Sequence, residues 1–164
     1  MTATRSMSDE EIAASIARSY AAFGPDDWSR EDPYQVADWA AILTPVEFGA
    51  WQDIRAWGLP LWPRLPVGGL TVSFGHPIAR VALQCGDVEP ADHWLTQIGW
   101  RVIRASADQC TAVMDEPADV LDRTGEVSDE YRARYQAETL AGAMQELRHA
   151  LIARGVLQAA QALA

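Results

Sequence analysis

Residues 70–105, LTVSFGHPIARVALQCGDVEPADHWLTQIGWRVIRA, carry the densest structural signal in the chain. Two short apolar runs, Leu70–Gly75 and Arg80–Cys85, read as strands, and His76-Pro77 separates them. Asp87 to Ile98 reads as a helix, and Gly99 stands where a left-handed C-terminal residue is needed. Trp100–Ala105 is the next strand. A strand, a helix and a strand in direct succession form a βαβ unit. Arg80–Cys85 and Trp100–Ala105 are therefore expected to be parallel neighbours.

Working outward, Gly68-Gly69 is a hairpin turn signal. Leu59–Pro66 contains Pro60, Pro63 and Pro66, so it supplies an edge strand at most, because proline lacks a ladder donor. Thr44-Pro45-Val46-Glu47 starts a helix: Thr at the N-cap, Pro at N1 and Glu at N3. That helix is expected to end near Trp57-Gly58. Tyr34–Leu43 is a shorter helical candidate. Ser8 caps another over residues 9–23, stopped by Gly24-Pro25, and Asp26–Pro33 reads as a loop. Downstream, Pro117–Arg123 is a short helix ending at Gly125. Ser128-Asp129-Glu130 opens what reads as one helix to Arg154, with a span of roughly 39 Å at the α-helical rise. Leu140, Met144, Leu147 and Leu151 form its apolar stripe, which reads as packing on the sheet or as a homodimer seam. Val156–Ala164 continues apolar and Ala-rich.

The expected fold class is α/β (α+β): a small mixed sheet from Leu59–Ala105, flanked by helices, with a long C-terminal helix on one face. The 164 residues suit a single domain, 1–164. It divides into an N-terminal helical part (1–43), a core (44–106) and C-terminal helices (115–164).

Composition narrows the function. Net charge is −10, and all 13 basic residues are arginine. With no lysine, the chain has no Schiff-base former and no lysine general base, and arginine stays protonated far above neutral pH. The acidic balance disfavours nucleic acid as a partner, since phosphate neutralisation supplies most of such affinity. A local patch of Arg64, Arg80, Arg101 and Arg104 is the one basic grouping to weigh against that. No apolar run is long enough for a membrane span, and the N-terminus lacks a signal-peptide pattern, so a cytoplasmic location is expected. The two cysteines, Cys85 and Cys110, indicate neither a disulfide framework nor a zinc ribbon.

Four segments carry a family resemblance. Thr44-Pro45-Val46-Glu47 followed by Trp51 and Gly58-Leu59-Pro60 is similar to a first helix with an N-terminal Glu. Pro66-Val67-Gly68-Gly69-Leu70-Thr71-Val72-Ser73-Phe74 is similar to a "VGxYxVDF" strand, and Ala82-Leu83-Gln84-Cys85-Gly86 to "AIEVDG". Asp92-His93-Trp94-Leu95 with Ile98-Gly99-Trp100-Arg101-Val102-Ile103-Arg104 resembles "RDxxLxxxGWxVxR". Together these resemble the PD-(D/E)xK endonuclease superfamily, in its very-short-patch-repair-like branch. The resemblance implies a restriction-endonuclease-like core whose acidic residues hold Mg²⁺ or Mn²⁺. Here Ser73 stands at the Asp position and Gln84 at the Glu position, which leaves Glu47 alone of that acidic set. One carboxylate and two neutral oxygens are a poor ligand set for a hard cation.

The expectation is therefore a pseudoenzyme, with no catalytic or metal residues, that binds a protein partner or itself. Glu47, Ser73 and Gln84 would be vestigial. The alternative is a metal-dependent DNA endonuclease with a relocated site, rebuilt using Glu47, Asp87, Glu89 or Asp92, with His93 as a weaker candidate for a general base. A further alternative is an acidic DNA mimic or inhibitor. Each residue also has an ordinary reading. Glu47 is a capping-box residue; Asp87, Glu89 and Asp92 complement a helix dipole. His93 is a helix-surface histidine, His76 a turn residue, and His149 a solvated partner of Glu146. Cys85 is a small buried hydrophobe, with a Cys110 bridge or a His93-assisted nucleophile as lesser readings. Trp57 and Trp62 are a candidate exposed pair on a binding surface.

Overall fold

The computed structural model describes residues 39–87 and 90–158. The expected helix over residues 9–23, the loop after it and Glu89 lie outside the described residues. The described elements, in order, are α1 (Trp39–Ile42), α2 (Pro45–Ala56), β1 (Trp62–Val67), β2 (Leu70–His76), β3 (Val81–Cys85), α3 (Pro90–Gln97), β4 (Arg101–Ala105), α4 (Ala107–Thr111), a single 3₁₀ turn (Pro117–Asp119), α5 (Asp129–Glu138) and α6 (Ala141–Ala153). The architecture is mixed α/β around one four-stranded sheet in the order β1-β2-β3-β4.

β1 and β2 form the antiparallel hairpin that Gly68-Gly69 turns, with both glycines at positive φ. β2 and β3 are antiparallel, and β3 and β4 parallel, Val81 facing Arg101 and Cys85 facing Ala105. The βαβ expectation holds, with α3 as the crossover. The proline-rich β1 is an edge strand, where Pro63 and Pro66 need no second ladder partner.

β3 is buried along Val81–Gln84, so both of its faces are covered. α2 reaches it from the side of Phe74, whose ring stacks on Trp51 (centroids 5.9 Å apart, 6° between planes). α6 packs on β3 and β4 through Met144, Leu147 and Leu151. These three side chains have no exposed surface and Leu140 has 2%, so the proposed homodimer seam is already used inside the chain.

The single long helix expected from Ser128 to Arg154 is two helices. Thr139 is extended (φ −114°, ψ −176°), and its hydroxyl donates to the Tyr135 carbonyl (2.6 Å) while accepting from the Ala141 N–H (3.2 Å). A threonine hydroxyl can replace a backbone partner in this way and so end one helix and open the next. The physical reason for the bend is burial. α5 has no buried residue, whereas α6 must lay its apolar stripe on the sheet. The helix expected over Pro117–Arg123 shrinks to the 3₁₀ turn. α4 was not expected, although Ser106 and Gln109 form a full capping box whose S-x-x-Q signature stands in the sequence.

α2 and α4 approach so closely at Gly49 that a Cβ there would lie 2.0 Å from the Cys110 carbonyl oxygen. A helix-interior Gly→Ala change ordinarily stabilises by about 1 kcal/mol. Here the sign reverses. Gly49→Ala is expected to cost at least about 2 kcal/mol in urea unfolding, because backbone has to shift to relieve the overlap. A variant as stable as the native protein would mean that α2 and α4 do not touch there.

Candidate functional site

Glu47 lies in the first turn of α2, where its capping box is complete. The Thr44 N–H donates to Glu47 Oε1 (3.0 Å) and the Glu47 N–H donates to Thr44 Oγ1 (3.2 Å). The carboxylate does a second job as well. Arg64 of β1 clamps it from the side, Nη2 donating to Oε1 (2.7 Å) and Nε to Oε2 (3.3 Å). Burial alone would raise the Glu47 pKa, but the hydrogen bonds and charge of Arg64 and the bonds from Thr44 outweigh it. The net shift is downward, and the group is held ionised.

Arg64 adopts φ +51°, a left-handed backbone conformation within a strand. For a residue with a Cβ this costs on the order of 1 kcal/mol. The ladder runs from Pro63–Phe74 to Leu65–Val72, which sets Arg64 across from Ser73. The side chain thus stands over an open cavity of about 290 Å³, lined by Glu47, Arg64, Thr71, Val72 and Ser73.

Ser73 and Gln84 fall one step beyond the last β2–β3 pair, Phe74 with Leu83. There the side chains take over from the backbone ladder. Gln84 Oε1 accepts from the Ser73 N–H (2.8 Å), and Ser73 Oγ accepts from the Cys85 N–H (3.1 Å). Gln84 is buried, so its amide needs such a partner. Glu47, Ser73 and Gln84 therefore share one corner of the fold, each with an oxygen already bonded.

This donor set does not fit a divalent cation. Its single carboxylate is neutralised by a guanidinium on both oxygens, and its two neutral oxygens accept from backbone N–H groups. Among the described residues no group of three or more His, Cys, Asp or Glu side chains could hold a metal.

Of the relocated-site reading, the described residues Asp87, Asp92 and His93 belong to no group that could hold a metal. Asp92 pairs with Arg104, whose Nε donates to Oδ2 (2.6 Å) and whose Nη2 also meets Oδ2. The same guanidinium donates through Nη1 to the carbonyls of Gly86 (2.9 Å) and Asp87. Arg104 is thus a clasp joining β4, α3 and the segment after β3. Asp87 enters it through its backbone, and its side chain is exposed. His93 is exposed and pairs with Gln97, one turn on (3.1 Å).

Of the four arginines weighed as a patch, Arg80 and Arg101 adjoin, the Arg101 N–H donating to the Arg80 carbonyl (2.8 Å). Arg64 and Arg104 sit on opposite edge strands with their own acids. Arg101 lies 3.9 Å from Glu146, and Arg80 Nη1 donates to the Ile98 carbonyl (3.4 Å). Glu146 thus faces Arg101, where the sequence suggested His149.

His76 is a turn residue as expected, but a buried one: it ends β2, its carbonyl accepts from the Arg80 N–H (2.9 Å), and its Nδ1 accepts from the N–H groups of Ile78 (3.2 Å) and Ala79 (3.1 Å). Trp62 is core, so the exposed tryptophan pair dissolves; Trp57 remains half-exposed under the Arg148 guanidinium, 5.2 Å from the ring centroid. Cys85 and Cys110 are free thiols that influence each other's ionisation. That interaction, with burial, pushes the Cys85 thiol up, and it brings Cys110 down despite burial. Cys85 is accordingly tied to Cys110 rather than activated by His93.

No sequence pattern announced Arg64 or Arg104 as clamp residues. The only signal was two arginines on strands within a chain of net charge −10. No described helix is long and apolar enough to cross a membrane. No known protein family, curated protein or solved structure matches the chain.

Proposed function

We propose that this chain is a degenerate relative of the PD-(D/E)xK nucleases that no longer cleaves DNA and serves as a binding module for a protein partner or for itself. The observation that carries the reading is the Arg64 clamp on Glu47. A permanent, covalently tethered cation sits where the resemblance calls for a divalent one. A left-handed backbone at Arg64 is tolerated to deliver it, which favours a specific role over an incidental surface pair. Ser73 and Gln84 support the same reading, because neutral oxygens engaged by backbone N–H groups add no charge for a cation. The order helix, hairpin, strand, crossover helix, parallel strand is the one the resemblance leads one to expect.

The test is a cleavage assay on supercoiled and single-stranded DNA, with Mg²⁺ and with Mn²⁺. The native protein is expected to show no activity beyond that of Glu47→Ala. Metal-dependent cleavage that Glu47→Ala abolishes would overturn the proposal.

A further inference from the structure

The bend between α5 and α6 turns on a single residue. Thr139 is extended, with ψ −176°, while Leu140 after it is already helical (φ −78°, ψ −1°). The helical periodicity of the sequence runs unbroken from 128 to 154. Rotating ψ of Thr139 into the helical region would therefore merge residues 129–153 into one helix. The N–H groups of residues 140–143 would then reach the carbonyls of residues 136–139, completing the ladder across the junction.

Polar latches hold the bend. Tyr135 donates its hydroxyl to Glu116 Oε2 (2.9 Å), and Tyr131 donates to the Asp115 carbonyl. Gln109 Nε2 donates to the Ala137 carbonyl (3.1 Å), and Gln136 Nε2 to Gln145 Oε1 (3.1 Å). No residue of α5 is buried, so little apolar packing opposes its release. Gly142 belongs to the bend as well. A Cβ there would lie 3.2 Å from the Gln136 carbonyl oxygen and 3.4 Å from its Nε2. A continuous helix holds no such contact, because residues six apart stand more than a full turn from each other.

We propose that α5 is a hinged lid. The chain exchanges between the bent form and a minor form in which α5 and α6 are one helix. In the bent form Tyr135 and Thr139 help to wall a cavity of about 500 Å³ that also borders α2 and α4. In the continuous form α5 swings off the segment at Asp115 and Glu116, and the cavity opens to solvent. Residues 121–126 are all exposed and supply the slack for that swing. Thr139 is the hinge, because one dihedral angle separates the two forms.

NMR relaxation dispersion on the isotope-labelled full chain tests this. Millisecond exchange is expected at the amides around Thr139, with a minor state populated on the order of 1%. The Thr139 Cα shift is expected to be that of extended backbone in the major state and of helix in the minor one. Gly142→Ala crowds the bent form and suits the continuous one, so it is expected to raise the minor population about fivefold. Tyr135→Phe removes the latch on Glu116 and is expected to raise it by a similar factor, about fivefold. If Gly142→Ala does not fold, Tyr135→Phe alone decides. A coil-like Thr139 shift in the minor state would mean that α5 simply unfolds, and would overturn the proposal. So would an unchanged minor population in both variants, or the absence of exchange in all three proteins.

Discussion

Arg104→Met is expected to destabilise the fold by about 3 kcal/mol, the lower end for removing one partner of a buried ion pair. Methionine keeps the apolar stem, so the loss isolates the guanidinium. That group holds the Asp92 carboxylate and the carbonyls of Gly86 and Asp87 together, with side-chain exposures of only 18% for Arg104 and 16% for Asp92. Without it the Asp92 carboxylate stays enclosed, and its Oδ1 already lacks a hydrogen-bond partner. Urea unfolding measures the effect, and a double-mutant cycle assigns it. In an Asp92→Ala background the same substitution is expected to cost less than about 1.5 kcal/mol, because no orphaned charge remains and only the carbonyl contacts are lost. Equal costs in the two backgrounds would show that the clasp is not what Arg104 supplies.

His76 predicts a pH dependence of similar size. Burial brings its pKa down to about 4 from the ordinary 6.5, since the imidazole must stay neutral to accept two backbone N–H bonds. The unfolded chain therefore binds a proton at higher pH than the folded one does. The stabilisation is complete above pH 6.5 and is lost as the pH falls from there toward 4. Between pH 7.5 and 4.5 the loss is expected to be about 2.5 kcal/mol. His76→Asn supplies a similarly placed acceptor that does not titrate, so this component should vanish from its urea-unfolding profile. Glu47 acts lower on the scale. Its depressed pKa gives stability above 4.5 that is lost as pH falls through the folded value, and it does so equally in both proteins. A His76→Asn profile parallel to that of the native protein would mean that the ring is solvated.

The sheet was readable in advance because its signals are local. Gly68-Gly69 marks the hairpin, three prolines mark the edge, and a strand–helix–strand run implies a parallel pair. The helix starts at Thr44 and Ser128 were equally plain, since a cap is a contact between residues three apart. What was hidden depends on tertiary geometry. The break at Thr139 interrupts no helical periodicity; it arises because α5 has nothing to bury while α6 does. The interior position of His76 follows from what covers the end of β2, and the sequence around His76-Pro77 reads like any exposed turn. The arginine clamps join residues 17 and 12 positions apart on different elements, so neither spacing nor composition pairs them. At the candidate site, the departures at Ser73 and Gln84 could be read from the chain. Their use as substitutes for ladder bonds, and the arrival of Arg64 across from Ser73, could not.

The proposal that a tethered guanidinium stands in place of a metal is tested most directly by titrating Mn²⁺ into the native protein at neutral pH and following the spin-resonance signal of the free ion. With Glu47 already neutralised on both oxygens, no ion is expected to bind at that corner at millimolar Mn²⁺, and Glu47→Gln should leave the titration unchanged. One Mn²⁺ bound per chain in the native protein, and lost on Glu47→Gln, would contradict the account.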